Sequence, residues 1–122
     1  MGAQTVSGPA IQAGYPYRTR LTLASPNGDA APALFPAGCA LRAQVRAKRD
    51  APDVLAELTT ANGRLVRVSD TEADIYIPAA ATANMPAGGT VEVDFVRTDL
   101  AEPEHLRIWM AIPVVKPVTR PA

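Results

Sequence analysis

Short stretches of strict apolar/polar alternation recur along this chain, each closed by turn-forming residues, and that rhythm constrains the fold more than any other feature. Successive side chains of an extended strand point to opposite faces, so such a stretch buries one face and wets the other. Leu41, Ala43, Val45 and Ala47 alternate with Arg42, Gln44, Arg46 and Lys48, the cleanest case. Tyr17, Thr19, Leu21 and Leu23 stand against Arg18, Arg20 and Thr22; Ala73, Ile75 and Ile77 stand against Asp74 and Tyr76. Val91, Val93 and Phe95 oppose Glu92 and Asp94, and a last run sets Leu106, Ile108, Met110 and Ile112 opposite Arg107, Trp109 and Ala111. Val54, Ala56 and Leu58 form one face of a further short strand, and Asn62-Gly63 after it predicts a hairpin that returns over 64–69 antiparallel to it.

About seven short strands without a long helix predict an all-β fold, because parallel strands would need helical crossovers. An immunoglobulin-like antiparallel β-sandwich is the first choice, although the Cys, Trp, Cys signature of antibody domains is missing. Ser25, Pro26, Asn27, Gly28 and Asp29 make a turn cluster, and 79–85 is an Ala-rich stretch long enough for one or two helical turns before Pro86 and Gly88-Gly89. The expected core is Leu41, Val45, Ile75, Val93, Phe95, Ile108 and Met110.

Length sets one domain as the expectation, since 122 residues leave too little apolar surface for two cores. Residues 1–16 are uncharged and rich in Gly and Pro, and read as an N-terminal arm before a sandwich over 17–112. Residues 113–122, with Pro113, Pro117 and Pro121, read as an extended C-terminal tail and not as a central strand, because proline has no N–H for a ladder. Both arms have little to bury and are expected to pack on neighbouring subunits and not on their own domain. Tyr15, Tyr17, Trp109, Val115, Val118 and Arg120 are the candidate partner-binding residues.

Twelve basic and twelve acidic residues balance, which disfavours nucleic-acid binding. The signs are blocked along the chain: residues 1–49 carry six basic and one acidic group, 50–104 three and eleven, and 105–122 three and none. Such blocks either make a bipolar surface suited to packing against copies of the chain or cancel when the strands pair. No stretch approaches the roughly 18 apolar residues that span a bilayer, and the first residues lack a signal-peptide pattern, so membrane association is not expected and the chain is placed in the cytoplasm where it is made.

The chemistry expected of an enzyme is missing from the sequence. With one histidine, a catalytic base could only be His105, which reads as a solvent-facing loop residue. Cys39 alone forms no internal disulfide and reads as a small buried hydrophobe, a thiolate needing a nearby base or helix N-terminus. One His and one Cys make a zinc site a poor expectation, and Asp70, Glu72 and Asp74 lack the ligand count of a calcium loop. Gly88-Gly89 lacks the context of a phosphate-binding loop. No catalytic, cofactor-binding or metal-binding residue is therefore assigned, and no small-molecule ligand is expected. Trp109 and Tyr76 lie out of phase with the apolar faces of their strands; they are either exposed aromatics of a binding surface or covered by further structure.

The order of features, LRAQVR at 41–46, the Asn62-Gly63 turn, Ile75-Tyr76-Ile77, MPAGGTVEVDFVRTD at 85–99 and the Pro-Val-Thr-Arg tail at 117–120, resembles small bacteriophage and prophage proteins with an immunoglobulin-like sandwich. These are tail, baseplate or capsid-associated virion components. The resemblance covers roughly residues 17–120 and rests on strand rhythm and turn chemistry. It departs from the pattern at Val93-Asp94-Phe95, where Tyr-Asp-Leu is frequent, and in lacking a glycine before the final strand. The resemblance implies a non-enzymatic structural protein whose partners are other virion proteins and copies of itself, located in the particle after assembly in the host cytoplasm. The alternative from a different class is a carbohydrate-binding or adhesion module, against which the sparse aromatics count.

Overall fold

The computed structural model describes residues 4–6, 8–24 and 31–119, and the turn cluster expected at 25–29 lies outside them, as does Arg120. Among the described residues nine strands and one helical turn follow in order: β1 (Gln4–Val6), β2 (Ile11–Gln12), β3 (Tyr17–Thr22), β4 (Leu41–Arg46), β5 (Ala56–Thr59), β6 (Leu65–Ser69), β7 (Glu72–Ile77), α1 (Ala79–Thr82), β8 (Thr90–Arg97) and β9 (Glu104–Val115). They form two sheets. The larger has the order β1-β9-β8-β4-β5, with β2 continuing β1 along the same side of β9; the smaller has the order β3-β7-β6. The chain is thus an all-β, immunoglobulin-like sandwich in which β4, β8 and β9 form the middle of one sheet and β3, β7 and β6 form the other.

Alternation and burial coincide. All seven expected core residues are buried, joined by Phe35, Leu21, Leu58, Leu65, Ile77 and Ile112, so the apolar faces of both sheets meet in one core. Cys39 is buried beside them. The Ala-rich stretch does make one helical turn. Its Thr82 is fully buried: the hydroxyl donates to the Tyr15 carbonyl (2.7 Å) and accepts from the Gly14 N–H (3.1 Å). That exchange ties α1 to the bend between β2 and β3.

Three regions depart from expectation. Asn62-Gly63 does not close a two-stranded hairpin, because β5 pairs with β4 and β6 with β7, in different sheets. A type I′ turn needs positive φ at both central residues, and of the pair only Gly63 has it (φ 78°). Asn62 instead spends its side chain on the crossing: its Oδ1 accepts from the Thr59 and Arg64 N–H groups and its Nδ2 donates to the Glu57 carbonyl. Val54, expected to face inward with Ala56 and Leu58, lies outside β5 and is exposed.

The arms, second, pack on their own domain. β1 and β2 both run parallel to β9, with Gln4–Val6 opposite Ile108–Met110 and Ile11–Gln12 opposite Val114–Val115. Ile11 is 0% exposed and Val114 is buried against the same core. Each arm supplies what the other lacks, a ladder partner and an apolar neighbour. Tyr17 is 5% exposed and its hydroxyl donates to the Pro9 carbonyl at 2.8 Å, while Tyr15 donates to the Thr119 carbonyl at 2.8 Å. Gly8 passes so close that a Cβ there would sit 3.0 Å from the Tyr17 hydroxyl.

Third, Pro113 lies inside a strand paired on both sides. Neighbouring residues of a strand turn their N–H groups to opposite edges. Val114 donates to the Gly89 carbonyl on the β8 side, so position 113 faces the other edge. There the register partners end at Met110 and resume at Val114, leaving Pro113 at the break between β1 and β2, where no ladder bond is lost.

Candidate functional site

The outer face of the larger sheet carries a polar groove. Outward positions of β4 place Gln44 and Arg46, those of β8 place Glu92 and Asp94, and those of β9 place His105, Arg107 and Trp109; Arg49 follows β4. They line a groove of about 300 Å³ whose floor includes Val93. Register builds it: Gln44, Asp94 and Trp109 lie in one cross-strand row, and Arg46 and Glu92 in the next.

A bulge shapes the upper end. On β8 the residues 94 and 96 pair with 109 and 105 of β9, so three β9 residues stand opposite Phe95 alone. Arg107, in the middle of them, has φ 59°, a region that side-chain-bearing residues seldom occupy. His105 braces this bend, since its Nδ1 accepts the Arg107 backbone N–H at 2.9 Å while its Nε2 lies 2.9 Å from the Asp94 carboxylate. A carboxylate only accepts, so Nε2 carries the proton and both ring nitrogens are engaged. His105 is therefore a strand residue at a bulge, and not the loop residue expected from sequence.

At the lower end Trp109 is half-buried and its indole N–H donates to Glu92 at 3.0 Å. Arg49 lies over the ring, its guanidinium carbon 4.9 Å from the centroid, and reaches the same carboxylate at 3.4 Å. The indole is thus held between an acid at its edge and a cation on its face. Arg46 donates to the Ala51 and Pro52 carbonyls and to Gln44, and Gln44 in turn donates to Glu57. Glu57 is held below the ordinary carboxylate range chiefly by its two hydrogen bonds from Arg42. Arg46, Arg49 and Arg107 share the groove with Glu92 and Asp94, and no carboxylate is hydrogen-bonded to Arg46 among the described residues.

Of the described residues expected at a partner surface, only Trp109 lies in this groove. Tyr17 is buried, Tyr15 is tied to the C-terminal segment, and Val115 and Val118 are exposed on β9 and beyond it. Tyr76 lies on the outer face of the small sheet under Arg18, 4.5 Å from ring centroid to guanidinium carbon. Arg46, Arg49, Glu92 and Asp94 are not singled out by the sequence alone; their signal is opposite charge on and just after the outward parity of β4 and on that of β8, strands that are adjacent in the sheet.

The three acids considered for calcium are spent separately: Asp74 in a bidentate pair with Arg20, Asp70 with Arg67, and Glu72 with the Ser69 and Thr22 hydroxyls. Among the described residues no group of three or more His, Cys, Asp and Glu could hold a metal ion, and no helix is long and apolar enough to cross a membrane. Burial pushes the Cys39 thiol above its usual pKa, which disfavours thiolate. No protein-family model and no curated protein matches this chain.

Proposed function

We propose that this chain is a non-enzymatic assembly module that acts through protein–protein contacts made by the outer face of its larger sheet, and that its setting is a bacteriophage particle, as tail, baseplate or capsid-associated component. The observation that carries the first part is Trp109 clamped by Arg49 and Glu92 in the middle of a sheet face. Trp and Arg are the side chains that dominate contact energy at protein interfaces, and a pre-ordered anchor loses little entropy on docking. His105 supports the same reading, since both of its nitrogens are occupied in holding the bulge and neither is left to take a proton from a nucleophile. The particle setting rests on the resemblance in strand and turn order.

The adhesion alternative requires an aromatic face open to a sugar ring, and Arg49 covers that face of Trp109. Density-gradient sedimentation of particles from producing cells tests the proposal. The chain should migrate with the particles and withstand a salt wash; recovery only at the top of the gradient as free protein would contradict it.

A further inference from the structure

Resting on the assembly reading, we infer that the groove of Arg46, Arg49 and Trp109 receives the acidic loop between β8 and β9 of a second copy of this chain, in a head-to-tail contact. The loop, residues 98–103 with Glu104 at its end, carries Asp99, Glu102 and Glu104 around Leu100, a leucine 41% exposed. Glu102 and Glu104 make no ion pair among the described residues. The groove has complementary properties: the Arg46 and Arg49 guanidinium groups, the first with no carboxylate hydrogen-bonded to it among the described residues, and the apolar surface of Trp109 for the leucine.

The loop does not fill its own groove because its base is tied elsewhere. Asp99 accepts two bonds from Arg97, at 2.8 and 2.9 Å, and one from the Ala40 N–H at 3.2 Å, which anchors the loop to the start of β4. Loop and groove use different residues of one copy, so each copy can give and receive at once. Such a contact between unlike surfaces propagates into rings or open filaments and does not stop at a dimer. Strand pairing through β5 or β6 is the less suitable route to self-assembly: β6, an edge of the smaller sheet, carries a bulge and the inward-parity Arg67, and β5, an edge of the larger, is four residues long, all features that blunt an edge.

The test uses the full chain in sedimentation velocity over about three decades of concentration, at low and high salt, with the fluorescence of Trp109, the single tryptophan, read in parallel. Wild type should form a concentration-dependent series of species that salt dissolves, with Trp109 emission changing as it forms. Arg49→Ala, at a side chain 72% exposed, and the double variant Glu102→Gln with Glu104→Gln should each weaken association by about fivefold or more. Mixed one to one, the two variants share a single intact contact and should stop at dimers, whereas Lys48→Ala, outside the groove, should behave as wild type. A wild type that stays monomeric throughout overturns the inference, and so does association unchanged by both variants. If an acidic monosaccharide shifts Trp109 emission while the chain stays monomeric, the groove is a sugar site and the self-docking assignment is lost. Self-association through another surface removes the groove assignment but not the assembly reading, which falls if the chain fails to migrate with particles.

Discussion

Replacing Ile11 with alanine separates an integral edge strand from a detachable arm. The side chain is 0% exposed, packed in the main core from a strand of two residues. Truncating a buried Ile to Ala costs about 2–5 kcal/mol, the spread reflecting how far the site collapses into the cavity. Here Pro9 and Gly14 flank the strand and β2 is held by few ladder bonds, so the edge can relax, which favours the lower half of that range, about 2–3 kcal/mol. For a domain of this size about 1 kcal/mol corresponds to roughly 4 °C in Tm, so melting should fall by about 8–12 °C. Urea unfolding followed by Trp109 fluorescence and by circular dichroism measures it, with coincident transitions as the two-state check. Val118→Ala, at a side chain 98% exposed, is the control and should stay within about 0.5 kcal/mol of wild type. An Ile11→Ala protein equally indistinguishable from wild type would mean that β2 does not belong to the core.

Thr82→Val keeps the shape but removes the hydroxyl that serves Tyr15 and Gly14, and should cost about 1–3 kcal/mol by the same urea assay; no loss would mean those backbone groups find other partners. Cys39 should react with a thiol reagent only on the timescale of unfolding, and fast labelling of the native protein would refute its burial. Asp99 is pulled down to about 2 by the Arg97 guanidinium. Its carboxylate thus binds a proton less readily folded than unfolded, so its stabilisation is complete above the ordinary aspartate range and is lost as pH falls through about 2. The Tm gap between wild type and Asp99→Asn should therefore narrow steadily from about pH 5 to about pH 2, and a gap constant across that window would contradict the pairing.

How much the sequence revealed depended on whether the signal was local. Alternation is a property of neighbouring residues, so the inward sets of β3, β4, β7, β8 and β9 were legible, as was the helical turn at Ala79–Thr82. Pairing partners are not local. Asn62-Gly63 has the composition of a hairpin, yet the chain crosses between sheets there, because Ala56 and Leu58 complete one apolar face and Leu65 the other. The arms escape a local reading for the same reason. Ile11 and Val114 look too sparse to bury, and only their juxtaposition, with the proline at the gap between β1 and β2, turns two weak segments into an edge. The groove was half legible: Trp109 was marked by its outward parity, but the charges around it converge through the adjacency of β4, β8 and β9 and through a bulge that alternation alone does not reveal.

An electron cryomicroscopy map of the particle would show whether the outer face of β4, β8 and β9 is a contact surface. Density for a two-sheet sandwich with Trp109 and Arg49 covered by a neighbouring subunit is the expected result. A map in which that face is open to solvent in every copy, or in which no such sandwich is present, would contradict it.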